Sequence, residues 1–146
     1  MKLTDEWFTA LSQDGEGKLI FVTGRKSLEG FRAKGSLKVR VEIKWPYPAD
    51  REGMPDERTA KLITEIEPRL RQAMECDKLA ILTGNYTGSG EKYWVFYTRH
   101  LPTFGERLNA ALADYETLPL EILCEEDPEW EEYLDMLSME REEHDE

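Results

Sequence analysis

The sequence predicts a single α+β domain, with helices packed on one face of an antiparallel sheet. Its 146 residues are enough for one buried core, and they include 40% hydrophobic and 10% aromatic residues. Segments with alternating apolar residues, which are typical of strands, are interspersed with segments of helical spacing. Clusters of glycine and proline separate the segments, so each one is interpreted as a separate element.

The first predicted element is a β-hairpin over residues 6–24. Two apolar-rich runs, 6–12 and 18–24, are joined by the sequence DGEG, which is typical of a hairpin turn. After a link that contains glycine, residues 37–45 (LKVRVEIKW) alternate strictly between apolar and charged side chains. This alternation predicts a strand with one buried and one solvated face.

A helix is predicted to begin after Asp56, whose carboxylate can cap it. The preceding segment WPYPADREGMPDE has three prolines and cannot continue the strand. Residues 60–74 place their apolar side chains at helical spacing. Because Pro68 lies inside this segment and lacks a backbone donor, we expect a kink there or two short helices.

The second half of the chain repeats the same kinds of element. Two strand-like runs, 78–87 and 91–98, are joined by a glycine-rich turn and form a second hairpin. Residues 101–116 have an apolar stripe at helical spacing, and 118–125 form a short strand. The final helix is predicted over 127–137, with the aspartate as its N-cap and proline at its first position.

After the first hairpin, the order of elements is strand, helix, strand, strand, helix, strand and helix. This βαββαβ order is the ferredoxin-like pattern, in which the four strands lie in the spatial order four, one, three, two. We therefore expect a ferredoxin-like domain over 1–139 that includes the hairpin and an acidic C-terminal helix. We expect residues 140–146 to form a frayed acidic tail.

The acidic residues are concentrated at the C-terminus. Residues 125–146 contain twelve acidic and one basic side chain, whereas the rest of the chain contains 19 and 18. Such a region repels nucleic acid and anionic membranes and attracts a basic protein. The N-terminus has no apolar signal-peptide core, and no apolar run approaches the ~20 residues of a membrane span. We expect a cytoplasmic protein, and the sequence leaves its oligomeric state open.

Few residues suggest catalysis or metal binding. Cys76 and Cys124 have no metal-site spacing and would lie ~14 Å apart in this topology, so we expect both to be reduced. His100 and His144 are the only histidines, and His100 is interpreted as a capping or surface residue. The acidic run EED ending at Asp127 could bind a divalent cation, but Asp127 fits a helix cap better. We expect no catalytic residue, no metal and no cofactor.

The aromatic run YWVFY at 93–97 allows two interpretations. In a central strand it resembles the base-stacking strand of RNA-recognition modules, with Trp94 and Phe96 at the stacking positions and Lys38 and Arg40 on the neighbouring strand. However, bulky residues stand where that motif requires small ones. A central strand covered on both faces also has a continuous apolar and aromatic sequence. We expect these rings to lie in the core, and we expect the N-terminal hairpin to cover part of the sheet.

Four segments together resemble a known family: VTGRKSLEGF, VEIKWPYPADREGMPDE, LAILTGNYTGSGEKYWVFYT and EEDPEWEEY. They resemble an uncharacterised bacterial family, the domain of unknown function numbered 695, over roughly Trp7 to Tyr133. That family is similar in fold to regulator of RNase activity B, an inhibitor of ribonuclease E. The resemblance implies a protein-binding regulator and transfers no catalytic residues. Pro68 in the first long helix departs from the family pattern.

The leading hypothesis is a non-catalytic regulatory or adaptor domain that binds another protein. Its binding residues would be acidic side chains of the C-terminal helix and two aromatic side chains expected to be exposed, namely Glu129, Glu132, Asp135, Glu140, Trp45 and Tyr47. One alternative is an RNA-binding module that uses Trp94, Phe96, Lys38 and Arg40. Another is a small-ligand-binding or hydrolytic protein with a site around Trp45, Tyr47 and His100.

Overall fold

The computed structural model describes residues 2–116 and 118–144, and these form six strands and four helices. The strands are β1 Trp7–Gln13, β2 Leu19–Arg25, β3 Val39–Pro46, β4 Ala80–Gly88, β5 Glu91–Thr98 and β6 Glu121–Glu126. The helices are α1 Glu29–Lys34, α2 Glu57–Glu75, α3 Leu101–Ala111 and α4 Glu131–His144. The predicted α+β class is confirmed.

All six strands belong to one antiparallel sheet in the order β1-β2-β4-β5-β3-β6. The predicted N-terminal hairpin is confirmed as β1 and β2. It was expected to cover part of a sheet face, and this expectation is wrong. The hairpin extends the sheet instead, because β2 pairs with β4 from Phe21↔Thr87 to Gly24↔Gly84. Edge-on pairing gives the backbone groups of β2 partners on both sides.

One face of the sheet is covered by α2 and α3. The buried residues Ile63, Ile66 and Leu70 of α2 pack against the sheet on both sides of Pro68. The expectation of two short helices is therefore wrong, since α2 is one helix of 19 residues. Packing along its whole apolar face compensates for the hydrogen bond that the proline cannot make.

The opposite face is covered by α1 and α4, so the expectation of helices on one face is wrong. Phe31 of α1 and Tyr133 and Met136 of α4 lie in a second core together with residues of β1, β2, β4 and β5. A side chain at Gly84 would overlap Met136, so glycine is needed for α4 to approach β4 this closely. The Tyr133 hydroxyl donates a hydrogen bond to the carbonyl of Arg25, with an O···O distance of 2.6 Å.

The ends of several elements differ from the prediction. The link after the first hairpin contains α1, which ends at Gly35 in the left-handed conformation, with φ of 76°. The last helix extends to His144, beyond the predicted end at residue 137. The fraying expected of residues 140–146 stays a prediction. Residues 145–146 lie outside the described part of the chain. Cys76 and Cys124 are free, as expected.

None of the helices formed by residues 2–116 and 118–144 combines the length and the apolar character needed to cross a membrane.

Candidate functional site

The aromatic run of β5 lies in the core, as predicted. Trp94 and Phe96 are fully buried on the side of α2 and α3. The Phe96 ring meets Phe104 of α3 edge-on, with ring centroids 5.5 Å apart. Tyr97 is buried on the opposite side and stacks on Trp130 with ring centroids 4.5 Å apart. Base stacking needs an open ring face, and Trp94 and Phe96 do not offer one.

The two basic residues of the RNA alternative differ in their surroundings. Lys38 is exposed just before β3. Arg40 is partly buried and is bound by acidic partners on both sides of its guanidinium group. The nearest are Glu125 Oε2 at 2.6 Å and Asp127 Oδ2 at 3.0 Å. The Arg40 charge is therefore neutralised by acidic side chains of the same protein.

Asp127 is the centre of a buried polar network between the sheet and α4. Its Oδ2 accepts hydrogen bonds from Tyr97 Oη at 2.6 Å and from Arg40 at 3.0 Å. Its carboxylate also accepts the backbone N–H groups of Glu131 at 2.9 Å and Glu132 at 3.3 Å. Burial raises the pKa of Asp127, but these hydrogen bonds outweigh burial and hold the pKa below its usual value.

Asp127 therefore caps α4, as the sequence predicted, although it lies three residues before Trp130, where the chain enters the helix. Trp130 has a φ of 58°, which places the turn in the left-handed region. The part of the chain that the structure describes contains no group of three or more His, Cys, Asp or Glu side chains arranged to hold a metal ion.

Glu132 was expected to face a partner, but it points towards the sheet. Its Oε1 accepts a hydrogen bond of 2.9 Å from the Tyr86 hydroxyl. Its Oε2 is buried and has no hydrogen-bond partner among the described residues. Burial raises the pKa of the Glu132 carboxyl, and the Tyr86 hydrogen bond offsets this effect only in part. Glu132 is therefore part of the packing between α4 and β4.

The buried tyrosines make the stability of the folded protein depend on pH in the alkaline range. Burial raises the pKa of Tyr47 and of Tyr133 to about 12, and it also raises the pKa values of Tyr86, Tyr93 and Tyr97. The unfolded chain loses its phenolic protons near pH 10, before the folded state does. Stability is therefore complete below about pH 10 and falls as pH rises towards 12.

We expect tyrosinate absorbance and loss of far-ultraviolet circular dichroism to follow the same pH curve, because these phenols ionise mainly on unfolding. A tyrosinate signal that reaches its full height near pH 10, with the circular dichroism unchanged, would contradict this expectation.

Sequence reasoning missed a buried lysine beneath α2. Lys92 Nζ donates hydrogen bonds to Asn85 Oδ1 at 2.8 Å and to Thr87 Oγ1 at 2.9 Å. Glu67 of α2 accepts from Trp94 Nε1 at 2.8 Å and from Asn85. Burial lowers the pKa of Lys92, and the Glu67 charge counteracts this. The position of Lys92 in a strand of core rings was the only available signal. Lys92 therefore links β5 to β4, and Asn85 and Trp94 link the sheet to Glu67 of α2.

Arg25 forms a similar internal network at the end of β2. This side chain is almost completely buried, and it donates to Glu75 Oε2 at 2.9 Å and to the carbonyls of Thr4 and Leu82, each at 3.1 Å. Its guanidinium group also lies over the Trp7 ring, 4.9 Å from the centroid. These contacts join the N-terminal segment, the hairpin and α2.

The aromatic residues expected to be exposed are buried, so that expectation is wrong. Trp45 packs at 6.4 Å from Trp94, measured between ring centroids, and the Tyr47 hydroxyl donates to the carbonyl of Gly53 at 2.8 Å. His100 accepts the backbone N–H of Thr103 at the start of α3, which confirms its capping role. Because β3 and β5 are antiparallel, His100 lies roughly 30 Å from Tyr47, at the opposite end of the strands.

Within residues 121–140, the exposed acidic side chains lie on β6, on the turn after it and on α4. No Lys or Arg occurs between Arg107 and Arg141 in the sequence. Glu129 and Asp135 are exposed as predicted, whereas Glu140 is partly buried and pairs with Lys26 at 2.7 Å. We define the acidic surface as the six exposed acidic residues of this region: Glu121, Glu125, Glu126, Glu129, Glu131 and Asp135.

The acidic surface is continuous with an open edge of the sheet. Among residues 2–116 and 118–144, strand β6 pairs only with β3 and is the last strand in the sheet order. All six of its residues are exposed, including Ile122 at 41% and Leu123 at 51%. Beside it, between α3 and the segment before β6, lies an apolar groove of about 370 Å³. The sequence predicted this strand but gave no signal that its side chains would be exposed.

The chain matches the model of a family of unknown function, DUF695, over residues 5–138. No curated protein and no solved structure matches the chain. The similarity in fold to regulator of RNase activity B therefore stays a prediction. Because the family model covers nearly the whole chain, the protein belongs to DUF695, a family whose function is unknown.

Proposed function

We propose that this protein is a non-catalytic adaptor or regulatory domain that binds a basic segment of another protein through its acidic surface. The observation that carries the proposal is the exposure of six acidic side chains within 121–135, in a stretch of sequence without Lys or Arg. Other acidic groups nearby, Asp127 and Glu132, are used inside the protein. Of the six exposed ones, Glu125 is bound to Arg40 at its outer side, and the proposal depends mainly on the other five.

The position of these acidic residues on folded elements supports binding. They lie on β6, on the turn and on α4 rather than on a flexible tail, so less conformational entropy is lost when a partner binds. A surface of one sign also accelerates encounter with an oppositely charged partner and makes the complex sensitive to salt. The same charge disfavours nucleic acid as the partner.

Two finer assignments belong to the same proposal. We assign β3 to β6 with α2 and α3 to the ferredoxin-like class, which is supported by their β4-β5-β3-β6 order within the sheet. We also propose a cytoplasmic location. This is supported by Cys76 and Cys124, which are free and exposed, as is usual in a reducing compartment.

Charge substitution tests the acidic surface better than deletion does. Removing residues 125–146 would also remove Trp130, Tyr133 and Met136 from the core. The test variant is Glu126→Gln, Glu129→Gln and Glu131→Gln together. The matched control is Glu16→Gln, Glu52→Gln and Glu106→Gln. All six positions are exposed, and each variant loses three negative charges.

The probe is a displayed library of random peptides, and selected peptides are then measured individually against the three proteins. We expect enrichment of Lys and Arg in the selected peptides, and weakening by about tenfold or more in the test variant but not in the control. Raising the salt from about 50 mM to about 500 mM should also weaken binding. The proposal would be refuted if the selected peptides bound the test and control variants equally, or if the selected peptides were not enriched in Lys and Arg.

A further inference from the structure

We propose that β6 is a docking edge, to which an extended segment of the partner adds as a seventh, antiparallel strand. The segment would alternate apolar and basic residues. This inference rests on the proposed function and specifies how the partner is held. It is carried by three observations: the backbone groups on the open side of β6, the groove beside it and the distribution of charge on its two faces.

The ladder between β3 and β6 determines which backbone groups of β6 are available. The N–H of Asp127 donates to the carbonyl of Lys38 at 2.8 Å, so this pair is hydrogen-bonded. In an antiparallel ladder, hydrogen-bonded pairs alternate with pairs whose groups point away. Glu121, Leu123 and Glu125 therefore bond to β3. The N–H and C=O groups of Ile122 and Cys124 point to the open edge, where an added strand can bond to them.

The groove accepts the apolar residues of such a strand. Ile122 and Cys124 pair with Ile43 and Val41, which face α2 and α3, so their side chains lie on that side of the sheet. The groove of about 370 Å³ begins at Ile122 and extends to the C-terminal end of α3 and the segment that follows it. Its apolar lining includes Leu108, Leu112, Leu118, Leu120 and Ile122. In an antiparallel strand, the residues opposite Ile122 and Cys124 also project to this side.

The other face of β6 accepts the basic residues. Glu121 and Glu125 pair in register with Lys44 and Arg40 of β3, and so they face the side of α1 and α4. The next residues of the added strand would lie directly opposite these two glutamates. Cross-strand pairs of opposite charge stabilise a sheet, whereas pairs of like charge destabilise it. Leu123 lies between the two glutamates on this face, and Glu126 pairs with Val39 on the side of the groove. Two of the three residues on this face are therefore acidic, whereas two of the three on the groove's side are Ile122 and Cys124. This distribution favours an alternation of apolar and basic residues in the added strand.

The same charges argue against a second copy of this chain as the occupant. Antiparallel pairing of β6 with itself, centred on Leu123, would place Glu121 of each copy opposite Glu125 of the other. Shifting the register by a residue still brings glutamates close together. Charged side chains on an edge strand are a common protection against self-association. A basic partner removes this repulsion.

The test uses two peptides of identical composition, Ac-KVKVKVK-NH2 and Ac-KKVVVKK-NH2, each with a fluorescent label for anisotropy measurements. We expect the alternating peptide to bind at least about tenfold more tightly, because only its valines can all project to the side of the groove while its lysines project to the side of Glu121 and Glu125. Equal affinities would show that charge alone decides binding. In that case, the proposed function would stand and the docking edge would be refuted.

Backbone methylation of the alternating peptide tests the hydrogen bonds directly. Methyl groups on the valine nitrogens block the N–H groups that would bond to β6. Methyl groups on the lysine nitrogens modify only N–H groups that point to solvent. We expect the first peptide to lose binding and the second to retain it. Retention by both peptides would refute strand addition, and absence of binding by every basic peptide would refute the proposed function as well.

A variant of the protein gives an independent measurement. Cys124→Pro removes an N–H that points to the open edge and spares the bonds from β6 to β3, and prolines occur at such edge positions. Cys124→Ser keeps that N–H and is the control. We expect only the proline variant to lose the alternating peptide while its circular dichroism stays native. If this variant fails to fold, the two methylated peptides still decide the question.

Discussion

Replacing Asp127 by Ala is expected to lower the free energy of unfolding by about 3–5 kcal/mol. The substitution leaves the Arg40 guanidinium and the Tyr97 hydroxyl without their shared acceptor in a buried site. It also removes the acceptor of the first backbone N–H groups of α4. Urea unfolding, followed by circular dichroism, measures the change.

Asp135→Ala is the matched control, since Asp135 is an exposed aspartate of α4. We expect this variant to stay within about 0.5 kcal/mol of the unmodified protein. Asp127→Asn keeps an acceptor for the cap but loses the charge, and we expect an intermediate loss of about 1–3 kcal/mol. Similar losses for Asp127→Ala and Asp135→Ala would show that the network contributes little.

The loss of stability at acid pH gives a second measure of the contribution of the Asp127 carboxylate. Because the pKa of Asp127 is lower in the folded state, its contribution is complete above the unfolded value of about 3.9 and is lost as pH falls below it. The Asp127→Asn variant should therefore lose less stability than the unmodified protein between about pH 5 and pH 2. An identical loss in both proteins would mean that Asp127 is not stabilised as an anion.

Replacing Trp94 by Ala is expected to cost about 3–5 kcal/mol, comparable with the loss at Asp127. Trp94 is completely buried between the sheet and α2, and its indole N–H donates to Glu67. The substitution creates a cavity next to Trp45. It also removes one of the two hydrogen bonds that Glu67 Oε1 accepts, so that only the one from Asn85 is left. Urea unfolding again measures the loss.

Phe21→Ala is the control for this substitution, because Phe21 belongs to the same sheet but is 48% exposed. We expect it to cost less than about 1 kcal/mol. If Trp94→Ala were as mild as Phe21→Ala, the aromatic run of β5 would not be a core element. An exposed recognition role for these rings would then need to be considered again.

Local patterns in the sequence were sufficient to predict most elements. The strict alternation over 37–45 and the two hairpins gave the strands, and Asp127 was correctly identified as a cap. The helix α1 escaped prediction because six residues are less than two helical turns, and Gly30 interrupts them. In α2, packing overrode the effect expected of Pro68.

The presence of helices on the second face of the sheet was harder to predict from the sequence, although the sequence of β5 indicated it. In β5, Trp94 and Phe96 face one side, while Val95 and Tyr97 face the other, and all four are buried. A strand that is apolar at successive positions requires cover on both faces. The charged sequence of the last helix concealed the fact that Tyr133 and Met136 supply that cover.

The candidate surface was predictable only in part. Net charge identified the C-terminal region, but it could not distinguish Glu132, which binds Tyr86, from Asp135, which is exposed. Nor could it show that β6 presents an open edge, because exposure depends on which strands flank it. Such distinctions arise from tertiary packing and have no local pattern.

The contact between the last helix and the first hairpin has a consequence for biosynthesis. Tyr133 of α4 and the carbonyl of Arg25 are 108 positions apart in the chain, yet they share a buried hydrogen bond. While the protein is being translated, the apolar side of the hairpin lacks the cover that α4 provides until α4 leaves the ribosome. Until then, the nascent polypeptide exposes a surface that chaperones can recognise.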